Sequence, residues 1–235
     1  MIVIYGTGFY GQVDTHGGQH QLTKFFHIYY VPLIPVGALW SMQRIDEGYQ
    51  GHAVKMSGRS VLAGYARVWG PLAAIGGIVT GGVGGIAAAV GLGALSAWSW
   101  TWRSLRDPRA QRRSDFNLLA FGTRCDPLRM PEQLAQNLQD PVAERWALVA
   151  EGRTPEDVAR LGAANLSQAV FAYASLRLAA RLAPAEHARA AHAASERILE
   201  SIKDVDETAL EGGPYRSLGQ PRLPEGSVVD ESSRT

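Results

Sequence analysis

Between Arg67 and Arg103 the chain carries no charge: Val68 through Trp102 is 35 consecutive uncharged, mostly apolar residues. An uncharged apolar run of about 18 or more residues is long enough to cross the hydrocarbon core of a bilayer. As one α-helix these residues would form a rod of roughly 52 Å, against a core of about 30 Å. One straight span overshoots even when tilted. Two spans need about 40 residues. The apolar texture supplies them by starting at Ser60, with Arg67 as its single interruption. The expected arrangement is a transmembrane helical hairpin over 59–103, with helices at about 60–80 and 84–102. The break falls in Thr80-Gly81-Gly82-Val83-Gly84-Gly85, where glycine supplies the backbone angles of a tight turn. A single tilted span and a buried core helix of a soluble domain are the two competing readings. Glycine is poor helix material in water, which disfavours the second.

The flanks orient the hairpin. Arg44, Lys55, Arg59 and Arg67 precede it; Arg103, Arg106, Arg109, Arg112 and Arg113 follow it. No acidic residue occurs between Glu47 and Asp107. Lys and Arg concentrate on cytoplasmic flanks, so both ends are expected on the cytoplasmic side of a bacterial inner membrane, in a multi-pass protein. Trp69, Trp98, Trp100 and Trp102 sit at the edges of the apolar run, as interfacial anchors do. Arg67 lies near the entry side and reads as a snorkelling residue. Small residues recur at spacing four, at Ala73, Gly77, Gly81, Gly85, Ala89, Gly93 and Ala97. Such a stripe lets helix backbones approach closely in lipid. In a hairpin, Gly85, Ala89, Gly93 and Ala97 would face the first helix; homo-oligomerisation through the same stripe is the second reading.

Composition narrows the partners. The formal net charge is +1, so nothing points to nucleic acid, and the basic residues after Trp102 suit topology and anionic headgroups. A single cysteine, Cys125, excludes an internal disulfide and a multi-thiolate metal site. The N-terminus, MIVIYGTGFYGQVD, lacks the basic and long apolar regions of a cleavable signal.

Residues 1–45 read as a small β-domain. Ile2–Tyr5 and Phe9–Val13 are β-rich, Asp14–Gly18 is turn chemistry, Lys24–Pro35 is aromatic and β-branched and ends at prolines, and Ala38–Met42 reads as a further strand. Residues 114–130 read as a connection. A helical domain follows over 131–202. It holds a short helix over Pro141–Ala150 anchored by Trp146, and a strong start signal at Thr154-Pro155-Glu156-Asp157. A helical repeat follows at Leu166, Val170, Tyr173, Leu176 and Ala180, and then a helix from Pro184 to about Ile202. Residues 203–235 have little to bury and read as a disordered tail. The fold class is thus an α+β membrane protein.

No motif carries chemistry. Gly6-Thr7-Gly8-Phe9-Tyr10-Gly11 matches a dinucleotide-binding fingerprint, but no helix opens after Gly11 and no acid follows at the ribose-binding distance. A glycine-bearing β-hairpin is the better reading. His16, His20 and His27 with Asp14 could in principle ligate zinc, yet their spacing matches no closed site. His187 and His192 read as solvated, and Cys125 has no neighbouring base. Catalytic, cofactor-binding and metal-ligating residues are therefore all expected to be none.

The segment Gly6-Thr7-Gly8-Phe9-Tyr10-Gly11-Gln12-Val13-Asp14, followed by Thr23 through Pro35, resembles a group of uncharacterised bacterial membrane proteins. These open with G-T-x-x-Y-G-x-V-D and continue with a T-x-F-x-H-[IL]-Y-[YF]-x-P-L-I-P run. The second motif also looks like the tail of some small zinc-ribbon-type proteins, whose paired cysteines this chain lacks. The resemblance implies a membrane-associated protein and carries over no functional residue. The expected function is a non-enzymatic, membrane-anchored interaction or scaffold protein, with the lipid bilayer as one partner and a protein bound through the C-terminal helices as another. An oligomeric channel or transport accessory is the alternative.

Overall fold

The computed structural model describes residues 4–45 and 48–202; the tail at 203–235 lies outside the described residues. The layout is α+β, an antiparallel sheet followed by helices. The chain divides into two compact units, the first reaching Arg106 and the second starting at Asp107.

The first unit opens with a meander of four strands, β1 (Tyr5–His16), β2 (Gln19–Ile28), β3 (Val31–Ile45) and β4 (Gly48–Ala53), in that spatial order. Gly17 and Gly18 both take positive φ between β1 and β2, as a two-residue hairpin turn requires. Tyr29 (φ 47°) and Tyr30 (φ 62°) do the same between β2 and β3, without glycine's freedom. The Lys24–Pro35 run is therefore a hairpin folded at its tyrosines, and its prolines end no strand. Pro32 and Pro35 sit inside β3, where the ladder to β2 is irregular. β4 pairs only with Leu39–Ile45, so the sheet extends past the expected boundary at 45 and the proline-bearing half of β3 has no β4 neighbour. That is where prolines are tolerated.

Two helices follow, α1 (Gly58–Thr80) and α2 (Gly82–Trp100). Both are long and apolar enough to cross a membrane. They turn about Gly81 and Gly82, with φ of 68° and 74°. The break thus lies inside the expected glycine run, and α2 begins at Gly82, two residues before the expected start at 84. The N-terminal half of α1 packs on the sheet. Gly11, in the left-handed region, lies so close to α1 that a Cβ there would sit 1.9 Å from the Ser60 carbonyl oxygen. Thr23 donates to Ser60 Oγ (2.7 Å), which donates to the Gly11 carbonyl (2.6 Å). The chain leaving α2 returns to β1: Thr15 N–H donates to Arg103 (2.8 Å) and Leu105 N–H to Thr15 (3.1 Å). Both ends of the hairpin are thereby tied to the sheet.

The second unit is helical: α3 (Pro108–Phe121), a 3-10 turn (Pro127–Arg129), α4 (Glu132–Asn137), α5 (Gln139–Val149), α6 (Pro155–Leu161), α7 (Leu166–Leu182) and α8 (Ala185–Ser201). α3 occupies much of the segment read as a connection. Its start is signalled by Asp107, which accepts from Arg109 N–H, and by Pro108 at the first helical position. Its three arginines masked an apolar face of Phe116, Leu119, Ala120 and Phe121, all buried. α5 is anchored by Val142, which is buried, rather than by the half-buried Trp146. Thr154 and Asp157 form a reciprocal capping box at α6. Gly162 ends α6, and Asn165 caps α7 by accepting from Gln168 N–H (2.8 Å). α7 is the central helix, buried from Gln168 to Leu178 except at Ser175.

Candidate functional site: the apolar hairpin and its polar ties

The unusual surface of the first unit is the hairpin. Ile75, Ile78, Val79, Val83, Ile86 and Val90 all project outward, Val79 being 80% and Val83 88% exposed. Exposed apolar faces of this kind are a feature of lipid and partner contacts. Inside the hairpin the helices meet through small residues. A Cβ on Gly85 would lie 2.4 Å from the Gly77 carbonyl oxygen, and one on Gly70 would lie 2.8 Å from Ser96 Cβ. The α2 contact line is Gly85, Ala89, Ser96 and Ser99, with the Leu92 carbonyl beside Gly70. This corrects the stripe at spacing four. Four residues advance about 40° past a full helical turn, so a strict repeat of four walks off the contact face. Gly93 accordingly has open space at its Cβ, and Ala97 is exposed.

Arg67 ties three elements together. Its Nη1 donates to the Gln12 carbonyl of β1 and its Nη2 to the Ser99 carbonyl near the end of α2, both at 2.7 Å. Its guanidinium lies 5.0 Å from the Trp100 ring centroid. A cation at a helix C-terminus meets the negative end of the helix dipole. The side chain is thus held between β1 and the end of α2. The other tryptophans are also engaged: Trp69 Nε1 donates to the Pro32 carbonyl (2.9 Å), and Trp98 and Trp102 pack edge to face.

Gly6 through Gly11 lie within β1, with Gly11 in the left-handed region where the ladder is irregular, and no helix follows them. Gly6 and Gly8 lie against the His27 ring. His16 is at the end of β1, and the ring of His20 in β2 contacts the Gly18 carbonyl at 3.3 Å. His27 is buried further along β2, stacked on Tyr30. Among the described residues no group of three or more His, Cys, Asp or Glu could hold a metal ion. Cys125 is fully buried, and burial pushes its thiol well up, so it is protonated and shielded.

The second unit holds a buried ionic cluster that the sequence reading missed. Arg177 of α7, 1% exposed, makes a two-pronged contact with Asp126 (Nε to Oδ1 3.1 Å, Nη2 to Oδ2 2.5 Å). Its Nη1 reaches Glu196 Oε1 (3.1 Å) and His192 Nδ1 (2.7 Å) on α8. Arg113 of α3 pairs with the same Glu196 at 2.9 Å. His187 and His192, read as solvated, are both exposed, and His192 is in addition bonded to Arg177 on one nitrogen. Burial alone would raise Asp126, but its bonds to Arg177 outweigh that and hold the carboxyl below its usual value. Asp126 also caps the 3-10 turn by accepting from Leu128 N–H. Every charge here faces a partner, so the cluster fastens the 122–130 loop to α7 and α8. The signal available in sequence was an arginine on the face that carries Val170 and Tyr173. Comparison with protein-family models, with curated proteins and with solved structures finds no match.

Proposed function

We propose that this chain is a non-enzymatic membrane-anchored interaction protein, with α1 and α2 embedded in a bilayer and the helical unit offered to a protein partner. The single observation that carries the anchoring is the hairpin's outward face, apolar and exposed along nearly its whole length. Water would penalise such a surface by about 25 cal/mol per Å². The small-residue contacts at Gly77, Gly85 and Ala89 are spent between α1 and α2, which favours an anchor over the alternative, an oligomeric channel or transport accessory. The basic flanks favour a cytoplasmic location for both soluble parts.

The test is fractionation with cysteine mapping of the full chain. The protein should stay in the membrane pellet after alkaline carbonate washing and enter solution only with detergent. Because Cys125 is buried, it can remain in place. Thr80→Cys should react with an impermeant thiol reagent from outside intact cells, and Arg189→Cys only after lysis. Carbonate release would end the anchoring reading. Labelling of Arg189→Cys from outside would reverse the topology. A pull-down from detergent extract that recovers no partner above background would count against the interaction role.

A further inference from the structure

We propose that the β2–β3 hairpin is a third membrane-embedded element, seated among lipid acyl chains beside α1; this rests on the reading of α1 and α2 as a bilayer hairpin. The first support is length. The sheet grips α1 only over its first half, from Ser60 at Gly11 and Thr23, through Gly64 at Phe25, to Trp69 at the Pro32 carbonyl. Beyond Trp69 only 11 residues remain before the turn at Gly81, and the rise from Trp69 to Gly81 is about 18 Å. The hydrocarbon core is about 30 Å thick. A hairpin whose turn reaches the far headgroups must therefore draw the level of Trp69, and the strands fastened there, into the hydrocarbon. A shallower hairpin leaves that level at the near boundary. The proposed depth therefore rests on a hairpin that crosses the whole core.

The second support is chemistry. From Phe25 to Gln43 the sequence contains no Asp, Glu, Lys or Arg, and none occurs before Asp14 in β1. The contacts advance along β2 and α1 together, Thr23 at Ser60 and Phe25 at Gly64, so the β2–β3 turn lies at the end of the sheet nearer Gly81. That end is exposed and apolar: Tyr5 is 71%, Tyr30 66% and Ile34 59% exposed, with Ile28, Tyr29 and Val36 beside them. Asp14, Arg44, Lys55 and Arg59 lie toward the other end of the strands and the start of α1, and Lys24 lies mid-strand over the Phe9 ring. Tyr29 and Tyr30 hold turn angles that Asn-Gly would adopt more cheaply. Tyrosine is favoured where an apolar body and a polar tip meet a membrane boundary. Tyr65 Oη (2.7 Å to the Leu33 carbonyl) and Trp69 Nε1 fix this end to α1, so its depth is tied to that of the helix.

Depth-resolved fluorescence quenching tests this. The full chain is reconstituted in phosphatidylcholine–phosphatidylglycerol vesicles with a polarity-sensitive fluorophore on Tyr30→Cys, Ile34→Cys, Ile75→Cys or Lys55→Cys; Ile75 is exposed on α1 well short of the turn. Quenchers attached to the acyl chains are compared with aqueous iodide. The expected result is acyl-chain quenching and loss of iodide quenching at positions 30, 34 and 75, with the reverse at 55. Acyl-chain quenching at 75 with iodide quenching at 30 and 34 would overturn the inference and keep the hairpin. Iodide quenching at 75 would overturn the hairpin reading itself. Shielding of 30 and 34 from both quenchers would mean that a protein surface or a second copy covers the strands, and would also overturn it. Because a label at the turn could disturb folding, a second variant combines Tyr29→Asn and Tyr30→Gly, which suit this turn, with the label at Ile34→Cys. Acyl-chain quenching at 34 should persist in that variant, because Tyr65 and Trp69 set the depth of this end; iodide quenching at 34 in its place would overturn the inference.

Discussion

His52 shows how much one buried side chain contributes. It lies on β4 opposite Trp40, and neither ring nitrogen has a hydrogen-bond partner. Burial lowers its pKa from 6.5 to about 4. Above pH 6.5 the ring is neutral in both folded and unfolded chains, and stability is complete. As pH falls from 6.5 toward 4, the unfolded chain takes up a proton that the folded chain refuses, and stability is lost. The loss over this window should be about 2–3 kcal/mol. Denaturant titrations of the detergent-solubilised protein at stepped pH should show the slope, and His52→Leu should flatten it. Arg177 acts in the opposite sense, as a charge that must remain. Arg177→Met leaves the largely buried Asp126 without the guanidinium it is bonded to, while Glu196 keeps Arg113, and should cost about 3–5 kcal/mol, read as a drop in the unfolding midpoint. Adding Asp126→Asn, which keeps the cap on the 3-10 turn, should recover part of that loss. An equal loss in the double variant would mean that Arg177 acts through packing alone.

At the scale of elements, the hairpin is an arrangement of close backbone approaches. The strict repeat of small residues was visible in the sequence, but only some of its members reach the partner helix, because helical geometry alternates steps of three and four. Gly85→Leu should therefore force α1 and α2 apart and lower stability by on the order of 1–3 kcal/mol. Gly91→Leu, at a position whose Cβ meets nothing, should leave the melting temperature in detergent nearly unchanged. Equal effects of the two would contradict the packing described here. The β2–β3 hairpin teaches a related lesson. Its prolines suggested a strand end, and its turn contains no glycine or asparagine. Neither local signal revealed a hairpin, because the open edge of β3 and the contacts from Tyr65 and Trp69 accommodate what the local sequence disfavours.

For the whole molecule, each unit has its own core: Val13, Leu22, Phe25 and Trp40 in the first, and Phe116, Tyr173, Leu176 and Ile198 in the second. A fragment spanning 107–235 should therefore fold without detergent, giving a helical circular dichroism spectrum and a cooperative thermal transition. A fragment that aggregates or melts without cooperativity would show that the second unit depends on the first. The sequence alone determined the α+β order, the apolar pair of helices with a glycine turn, and the capping signals at Thr154 and Pro155. Those features are set by local periodicity, charge and backbone preference, which act over a few residues. Tertiary structure decided the rest: Arg67 bound between β1 and α2, Arg177 buried against Asp126 and Glu196, and the β2–β3 end fastened to α1. Each of these joins residues far apart in the chain. Their pairing depends on how the elements pack, which no local pattern encodes.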